Sequence, residues 1–553
     1  MPEAKGALVL GLDGASWDVI DPLLKAGRLP HLAAWRAQGV AARLASSVPP
    51  MSFPAWSSFA TGLGPGRHGL FDFSQKLPGA YRLRFTNASD RQGATLFARA
   101  SRAGRRVLAL GMPASYPPEP VDGLLVSGFD APVSTGTDAR SASDPALYRA
   151  VAARTGAWMR PELDEAALAE GWHERAVGHL LARIARKRDF ALEALAQLRA
   201  AAGGARPSLA CVVFSESDTV AHHYWRDHDP ASPRHDPSAS ATRRGAVAAV
   251  YQALDAACGE LRAAYGEDAL CAVVSDHGSG GAARRVVHLN QRLAECGLLQ
   301  RRGAGRAASD RLARRARDLA LRLLPPRLAE QAFRRARGTA ARVESAVRFG
   351  GFDWRGTRAF SEEANTQPGV WINLRGREAA GCVEPADYER VRGEVIDALI
   401  DWKLPGGGAV VARARRREEV YAGPCVARAP DLVVELALDA GYGLSLVPTP
   451  WDSPLPGAVR TLESHELAGG RGRGMNGTHR PDGILLAVGT GAHQLRVAPG
   501  PRLEDVAPTL LASLGILWDE ALDGSALNGP PRAYDPEEER LVAERLRRLG
   551  YLE

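Results

Sequence analysis

The sequence predicts an α/β protein built around a mostly parallel sheet, and three observations lead to that fold class. Short apolar runs rich in Val, Leu and Ile recur along the chain, each about as long as a buried strand. Each run ends in a turn of Gly, Asp or Ser, and a segment with helical spacing follows it, as in parallel sheets. The chain has 553 residues, 45% of them hydrophobic, so it is long enough to bury a large core.

Six of these runs are the predicted strands of the sheet. In chain order they lie at residues 6–14, 105–113, 123–130, 209–218, 269–278 and 482–489. Three stretches interrupt the alternation of strands and helices. Residues 140–205 are rich in Ala, Leu and Arg with helical spacing, and residues 226–244 are polar and rich in Pro and Ser, as in a surface loop.

The third interruption is basic. Residues 301–338 contain twelve Arg against three acidic residues, in an amphipathic pattern broken at Pro325 and Pro326. A solvated helical hairpin explains this composition, and an electrostatic patch for an anionic polymer or a membrane surface is the alternative. The Arg-rich run has almost no interleaved aromatic residues, so we expect no nucleic-acid partner.

These interruptions divide the chain into a core in three parts with two insertions. The predicted core parts are residues 1–139, 206–300 and 351–530. The predicted insertions are a helical cap at 140–205 and a basic helical segment at 301–350, and a C-terminal helix is predicted at 531–553.

Net charge, cysteine spacing and the amino-terminal sequence indicate which partners and which cellular location to expect. The excess of Lys and Arg over Asp and Glu, 70 − 63 = +7, argues only weakly for anionic partners. The six cysteines have no CxxC spacing, and we expect them to be reduced and buried. The first residues lack the pattern of a signal peptide, and no run approaches the roughly 20 apolar residues that span a bilayer. We therefore expect a cytoplasmic protein, with peripheral membrane contact left open.

Acidic residues and histidines stand at the carboxyl ends of three predicted strands, where parallel α/β sheets bind ligands. Asp13 ends the first run, and Asp276 and His277 end the run at 269–278. Asp218 ends the run at 209–218, and His222 follows four residues later, so one helical turn would aim both side chains at one point. These side chains are candidate metal ligands.

A late histidine, His479 in GMNGTHRPDG, completes a set of three Asp and three His. Carboxylate and imidazole ligands without thiolates suit Zn²⁺, Mn²⁺ or Mg²⁺. Six ligands are too many for one catalytic site that keeps an open position, so the number favours two ions. We expect two divalent cations, Zn²⁺ in first place and Mn²⁺ as the alternative.

A set of segments carries a family resemblance through its order and spacing. They are GLDGASWDVIDPLL with GRLPHLAAWRAQG, SFPAWSSFATGLGPGRHGLFDF, SDTVAHHYW, VSDHG, HLNQRLAECGLL, GVWINLRGRE, REEVYAGP, APDLVV, GTHRPDGILLAVG, and LEDVAPTLLASLGI with LDGSAL. Over most of the chain they resemble the alkaline phosphatase superfamily, in its type I phosphodiesterase/nucleotide pyrophosphatase-like branch of phosphohydrolases and phosphomutases. The resemblance implies an alkaline phosphatase-like three-layer α/β/α sandwich with helical cap insertions.

The resemblance also implies roles for the residues that match its motifs. The implied ligands form two groups: Asp13, Asp276 and His277 for one ion, and Asp218, His222 and His479 for the other. The implied nucleophile is Ser52, the residue before FPAW, which would also bind the ion held by Asp13.

Ser52 has a physical reason to react and also an ordinary structural explanation. A serine hydroxyl is a poor nucleophile at neutral pH unless a base or a metal stabilises its alkoxide. Pro54 fits the first turn of a helix, which predicts Ser52 or Phe53 as its N-cap, with free backbone N–H groups near the phosphate. The alternative is that Ser52 is only a cap. The other hydroxyls of this stretch, Ser57, Ser58 and Thr61, are predicted to pack or to hydrogen-bond locally.

The expected activity is metal-dependent hydrolysis of small phosphate mono- or diesters through a phosphoseryl intermediate. The alternatives are a phosphomutase or phosphotransferase with the same residues, and a non-catalytic protein that binds an anionic polymer or a membrane. A sulfatase is disfavoured because Trp56 stands where its motif has Arg. Asp72 and Phe73 stand in the segment where nucleotide pyrophosphatases have an Asn that contacts the phosphoryl oxygen, so the ester preference stays open.

Overall fold

A computed structural model of the chain gives its architecture. The structure describes residues 6–129, 131, 139–158, 172–302, 345, 348–363, 368–451, 455–468, 475–497, 500–529 and 536–548. Most of the basic segment 301–338 and part of the predicted cap lie outside these ranges.

The described residues contain eighteen strands. They are β1 (Ala7–Leu12), β2 (Val40–Ala45), β3 (Ser74–Lys76), β4 (Leu83–Phe85), β5 (Val107–Met112), β6 (Gly123–Ser127), β7 (Leu209–Phe214), β8 (Leu270–Val274), β9 (Gly278–Val287), β10 (Ala359–Phe360), β11 (Gly369–Ile372), β12 (Val411–Arg416), β13 (Leu432–Leu436), β14 (Leu438–Asp439), β15 (Tyr442–Leu446), β16 (Val459–Thr461), β17 (Gly477–Arg480) and β18 (Asp482–Val488).

The same parts of the chain form fourteen α-helices. They are α1 (Trp17–Lys25), α2 (Pro30–Gln38), α3 (Ser52–Thr61), α4 (Pro65–His68), α5 (Leu96–Arg102), α6 (Pro145–Thr155), α7 (Trp172–Ala201), α8 (Glu216–His228), α9 (Ala241–Tyr265), α10 (Leu289–Glu295), α11 (Tyr388–Ile400), α12 (Arg417–Val420), α13 (Val506–Ser513) and α14 (Pro536–Arg548).

Seven strands form the central sheet, in the order β2-β18-β8-β1-β7-β5-β6. The pairs from β8 to β6 are parallel, and β18 runs antiparallel to both of its neighbours. The sheet contains all six predicted strands, which confirms a mostly parallel sheet. It also contains β2, whose sequence VAARLA has too few large apolar residues to be recognised as a strand.

Helices cover both faces of this sheet, because the buried strands alternate apolar side chains between two cores. In β1, Leu8 and Leu10 point into a core shared with α1, α2 and α6–α9, while Ala7 and Val9 point into a core shared with α3, α5 and α13. The three-layer α/β/α sandwich expected from the resemblance is confirmed.

Within the predicted cap, 140–205, the described helices α6 and α7 pack against this sandwich. Buried residues of α7 such as Leu180 and Phe190 belong to the same core as Leu8 of β1. Among the described residues of 351–530, β18 is the one strand that joins the central sheet. β10–β13 form a separate four-stranded sheet with α11 packed on β12, and β9 and β14–β17 form a third sheet. The division into core parts and insertions stays a prediction.

The cysteines and the hydropathy of the helices bear on the expected redox state and location of the protein. All six cysteines are unpaired, as expected, but Cys296 and Cys382 are only partly buried, so the expectation of complete burial was wrong for these two. Both lie in loops at element ends rather than inside an apolar strand. No helix among the described residues is long and apolar enough to cross a membrane. The cytoplasmic location stays a prediction.

Candidate active site

The seven predicted site residues converge at one edge of the central sheet. Asp13 follows β1, Asp218 lies in the first turn of α8 after β7, and Asp276 and His277 follow β8. Because β8, β1 and β7 are adjacent and parallel, their carboxyl ends meet at this edge. β17 adds His479 from the neighbouring sheet, where it pairs with Ser279 of β9.

The first group of candidate ligands is buried. Asp13, Asp276 and His277 are at most 1% exposed. His277 Nε2 lies 3.2 Å from Asp276 Oδ2 and 3.8 Å from Asp13 Oδ1. Ligand atoms of Asp13, His277 and also Asp218 all lie within 4.8 Å of one another. The geometry therefore brings Asp218 close to this group as well as to the other.

The second group is more accessible to solvent. Asp218, His222 and His479 have ligand atoms within 4.8 Å of one another, and their side chains are 21%, 14% and 13% exposed. Asp218 Oδ1 lies 3.3 Å from His222 Nε2 and 3.5 Å from His479 Nε2. The rings of His277 and His479 stack with centroids 3.7 Å apart, so the two groups form one continuous cluster.

Backbone carbonyls set the tautomers of the three histidines. Nδ1 lies 3.0 Å from the Gly477 oxygen in His222, 2.8 Å from the Pro50 oxygen in His479, and 3.1 Å from the Gly278 oxygen in His277. A carbonyl only accepts hydrogen bonds, so Nδ1 carries the hydrogen and a neutral ring presents the lone pair of Nε2 to the cluster. This arrangement is typical of metal-ligating histidines.

Hydrogen-bond acceptors in the cluster therefore face one another with no donor between them. Such an arrangement fits a site for cations, which would lie between the acceptors. Two imidazole nitrogens, Nε2 of His222 and Nε2 of His479, lie only 3.0 Å apart. Asp276 Oδ1 accepts from the Gly14 N–H at 3.1 Å, whereas the buried Oδ2 has no hydrogen bond among the described residues. A buried carboxylate oxygen without a donor is costly unless a cation compensates it. Oxygen and imidazole donors in this number suit divalent metals.

Without a bound cation, the surroundings of the cluster shift the pKa values of its carboxyl groups and of His277 far from their ordinary values. Burial, followed by the nearby Asp276 and Asp218 carboxylates, raises the pKa of Asp13 well above its ordinary value. Burial also raises the pKa of Asp276 to about 8. For Asp218, burial opposes ionisation, but His222 and His479 outweigh it and hold the pKa well below its ordinary value. Burial, then the charge of His479, lowers the pKa of His277 well below its ordinary value.

Ser52 lies next to the buried group. Its Oγ is 3.4 Å from Asp13 Oδ1 and 3.5 Å from His277 Nε2, and the residue is 5% exposed. The N-cap of α3 is Met51, so Ser52 is the first helical residue rather than the cap. Met51 has an extended backbone and directly precedes the helix. The N-cap therefore lies one residue before Ser52, the earlier of the two positions that Pro54 predicted. The hydroxyl is therefore not used to cap the helix and points into the cluster.

The other hydroxyls of α3 bond locally or not at all. Thr61 Oγ1 donates to the Ser57 carbonyl at 2.7 Å. Ser58 Oγ lies 3.1 Å from His68 Nε2, whose other nitrogen accepts from the Leu70 N–H at 3.1 Å. His68 Nε2 therefore carries the hydrogen and donates it to Ser58, so this buried Ser–His pair cannot act as a nucleophile and base.

Three residues that support Asp13 and Asp276 escaped the sequence reasoning. Trp56 Nε1 donates to Asp13 Oδ2 at 3.1 Å, Ser217 Oγ donates to the Asp13 carbonyl at 2.6 Å, and the Gly14 N–H donates to Asp276. Trp56 lies four residues after Ser52, so helical spacing places it on the same face of α3. For Ser217 the only signal was its position beside Asp218.

The sequence of the chain matches the model of a known protein family. Residues 7–445 match the family model described as type I phosphodiesterase / nucleotide pyrophosphatase. No curated protein sequence matches the chain.

The fold of the chain is similar to those of several solved structures. Phosphonoacetate hydrolase from Sinorhizobium meliloti 1021, solved in complex with phosphonoacetate, superposes with a TM-score of 0.52 at 16% identity, over 93% of this chain and 96% of that chain. Its complex with phosphonoformate gives a TM-score of 0.51 at 16% identity and the same coverage. Murine ectonucleotide pyrophosphatase / phosphodiesterase 5 gives 0.45 at 13% identity, over 94% of this chain and 97% of that chain.

Proposed function

This chain belongs to the type I phosphodiesterase / nucleotide pyrophosphatase family, within the alkaline phosphatase superfamily, and from that premise we propose that it is a metal-dependent hydrolase of small phosphate esters. The observation that carries the proposal is the convergence of Ser52 with three carboxylates and three histidines at one sheet edge. A non-catalytic binding protein has no use for this arrangement.

In this proposal two divalent cations, Zn²⁺ or Mn²⁺, occupy the cluster. Asp13, Asp276 and His277 would hold one, and Asp218, His222 and His479 would hold the other. The carboxylate of Asp218 also lies within 4.8 Å of ligand atoms of Asp13 and His277. When bound, such cations stabilise an alkoxide and the negative charge that develops on phosphoryl and leaving oxygens.

Ser52 acts as the nucleophile. Its Oγ forms a bond to phosphorus as the bond between phosphorus and the ester oxygen breaks, which gives a phosphoseryl intermediate and the free alcohol. The hydroxyl proton of Ser52 passes to solvent, and the departing oxygen takes a proton from water. A water molecule then attacks the phosphoseryl group from the vacated side, releases the phosphate product and returns Ser52 to its starting state.

The first turn of α3 supports this step. The backbone N–H groups of Ser52 and Phe53 have no carbonyl partner within the helix, and Pro54 has no N–H to leave unpaired. These donors and the positive end of the helix dipole stabilise a phosphoryl group held in front of Ser52. Trp56 and Ser217 restrain Asp13 through its side chain and carbonyl.

The test compares the purified protein with Ser52→Ala on p-nitrophenyl phosphate, bis-p-nitrophenyl phosphate and a p-nitrophenyl phenylphosphonate ester, with Zn²⁺ or Mn²⁺ added. We expect turnover of at least one ester and a loss on the order of 10³-fold or more in Ser52→Ala. Ser57→Ala is the matched control, because Ser57 is buried in the same helix and its Oγ has no hydrogen bond among the described residues. Absence of turnover in the metal-loaded protein, or an active Ser52→Ala, refutes the proposal.

A further inference from the structure

A buried ion pair joins the middle of α7 to the first turn of α8. Lys187 Nζ lies 2.9 Å from Glu216 Oε1 and 3.1 Å from Glu216 Oε2, and it also donates to Ser215 Oγ at 3.3 Å. The side chains of Lys187 and Glu216 are at most 3% exposed. The active site described above uses neither of them, although Glu216 lies only two residues before Asp218.

Both partners of this pair have further buried neighbours. Arg183, one helical turn before Lys187, has its Nε 3.6 Å from Glu216 Oε1. Nζ of Lys187 lies 5.9 Å from the ring centroid of Phe214, the last residue of β7. Burial lowers the pKa of Lys187, while the charge of Glu216 and, more weakly, that of Asp13 oppose this shift. The pair therefore lies close enough to the first group of candidate ligands for Asp13 to act on it.

An ion pair in such surroundings fixes geometry more than it adds stability. Taking two charges out of water costs several kcal/mol for each ion, and apolar residues of similar volume often give equal or greater stability. Two carboxylate oxygens bound to one ammonium group, in contrast, leave Glu216 few other orientations. The pair therefore holds the start of α8 against α7 in one position.

The three residues before Asp218 are anchored to two different elements. Ser215 and Glu216 accept hydrogen bonds from α7. Ser217 Oγ donates to the carbonyl of Asp13, at the end of β1, at 2.6 Å. Ser215 is the N-cap residue of α8, and its hydroxyl accepts from α7 instead of capping the helix. The first turn of α8 thus depends on these contacts for its position.

The carboxylate of Asp218 has little room to move. Its Oδ1 lies so near Gly14 that a Cβ built on that glycine would be 2.8 Å away. The same carboxylate lies within 4.8 Å of ligand atoms in both groups of candidate ligands. Because the side chains of such a site must be held to within about 0.5 Å of their working positions, a shift of the first turn of α8 disturbs both groups.

Resting on the cation sites of the hydrolase function proposed above, we propose that Lys187 and Glu216 are positioning residues that hold Asp218 for cation binding through the first turn of α8. Neither side chain is itself a ligand in this arrangement. Groups one step removed from metal ligands commonly change metal affinity by about 10–100-fold when they are removed. Helix α7, which lies in the predicted cap, thereby contributes to metal affinity.

The experiment titrates the metal-free protein with Zn²⁺ or Mn²⁺ in a calorimeter and measures the urea unfolding of each variant. Lys187→Met keeps most of the side-chain volume but loses the contacts with Ser215 and Glu216, so we expect cation affinity to fall by about tenfold or more. Charge alone predicts the opposite sign, because removal of a positive charge near the site favours a bound cation.

Lys76→Met is the matched control. Lys76 and Glu378 form an ion pair that is equally buried, at 2.7 Å, but that joins β3 to the segment after β11. We expect Lys76→Met to lower the free energy of unfolding and to leave cation affinity unchanged. The comparison separates the position of Asp218 from a general loss of stability.

Two variants of Glu216 give a second test, which also serves if Lys187→Met does not fold. Glu216→Gln and Glu216→Leu change the charge equally, but only Gln keeps an acceptor for Lys187. We therefore expect Glu216→Gln to bind the cations about tenfold more tightly than Glu216→Leu. Because the titration needs no substrate, its result is independent of the ester test above.

The outcomes distinguish the two proposals. An unmodified protein that binds neither cation refutes the proposed cation sites and this inference with them. If the unmodified protein binds them, three results refute this inference alone: undiminished affinity in Lys187→Met, an equal loss of affinity in Lys76→Met, or equal affinity in Glu216→Gln and Glu216→Leu.

Discussion

Asp218 is the residue on which both groups of candidate ligands depend, because its carboxylate lies within 4.8 Å of ligand atoms in each. His222, one helical turn later, has its Nε2 3.3 Å from Asp218 Oδ1 and 3.0 Å from His479 Nε2, both in the second group. His223, its neighbour in α8, points the other way and packs against Trp172, with ring centroids 5.1 Å apart. Adjacent histidines in one helix therefore have different surroundings, which a metal measurement can distinguish.

We expect Asp218→Asn to lose both bound cations and His222→Gln to lose one, with a fall of at least about tenfold in affinity at each affected site. Metal content after dialysis at fixed free Zn²⁺ or Mn²⁺, measured by mass spectrometry, checks this. His223→Gln is the matched control and should keep the metal content of the unmodified protein. Equal metal content in all four proteins would show that the ligand assignment is wrong.

Gly14, directly after Asp13, has a backbone that suits glycine alone. Its φ is +65°, and a Cβ built there would lie 2.8 Å from Asp218 Oδ1. Gly14→Ala should therefore cost about 1–3 kcal/mol in backbone strain and also displace Asp218, lowering metal affinity. Gly27→Ala is the control, since Gly27 has φ +67° and no neighbour within 4 Å. Urea unfolding should show similar strain in both, but only Gly14→Ala should lose metal; loss of metal in both would contradict the role of the Asp218 contact.

At the scale of elements, α3 and α4 form the unit that presents Ser52 to the cluster. Trp56 fixes α3 to Asp13, and His68 at the end of α4 joins Ser58 of α3 to the Leu70 N–H. In the segment that leaves this unit, Phe71 packs edge-to-face against Tyr421, with ring centroids 5.0 Å apart. His68 thus connects the helix that carries Ser52 to the segment that follows α4.

This connection should make stability depend on pH. Burial, then the nearby Arg91 charge, lowers the pKa of His68 to about 3, against 6.5 when it is unperturbed. The neutral His68 ring makes its full contribution to the free energy of unfolding above pH 6.5. It is lost as pH falls toward 3, by about 1.4 kcal/mol per pH unit, because only the unfolded chain binds the proton there.

His68→Gln removes this dependence, so we expect its deficit in unfolding free energy relative to the unmodified protein to shrink between pH 7 and pH 5. Urea unfolding of the two proteins at pH 7, 6 and 5 measures the deficit directly. A deficit that stays constant over this range would show that His68 is not held neutral by its surroundings.

At the scale of the whole molecule, a buried ion pair ties the chain after α4 to the four-stranded sheet. Lys76 of β3 pairs with Glu378, just after β11, at 2.7 Å. Arg377 also contacts Glu378, at 3.0 Å, and pairs with the buried Asp431 that follows the 3-10 turn before β13. The position of this sheet against the chain that follows α4 depends on these charges.

Lys76→Met leaves Glu378 buried with a weaker partner, and we expect it to lower the free energy of unfolding by roughly 3 kcal/mol. The double variant Lys76→Met, Glu378→Gln removes the uncompensated charge and should recover part of that loss. Urea unfolding of the single and double variants gives the difference. A double variant no more stable than Lys76→Met alone would mean that the loss comes from packing rather than from charge.

The sequence predicted local features well. The six apolar runs were recognised because a buried strand needs a continuous apolar stretch, and all six are strands of the central sheet. The other twelve strands were not predicted; two of them, β2 and β9, have the sequences VAARLA and GSGGAARRVV and are held by their neighbours rather than by apolar side chains of their own. Motifs selected the seven predicted site residues, and the structure places them close together, while their roles stay a prediction.

Only the tertiary structure decided how those residues relate to one another. The approach of Asp218 to both groups of ligands follows from the adjacency of β8, β1 and β7, which lie far apart in the chain. The hydrogen bond from Trp56 to Asp13 and the ion pair between Lys76 and Glu378 also join distant segments. Strand propensity and motif spacing are properties of short segments, whereas strand order and the packing of one sheet against another are set by the burial of the whole chain.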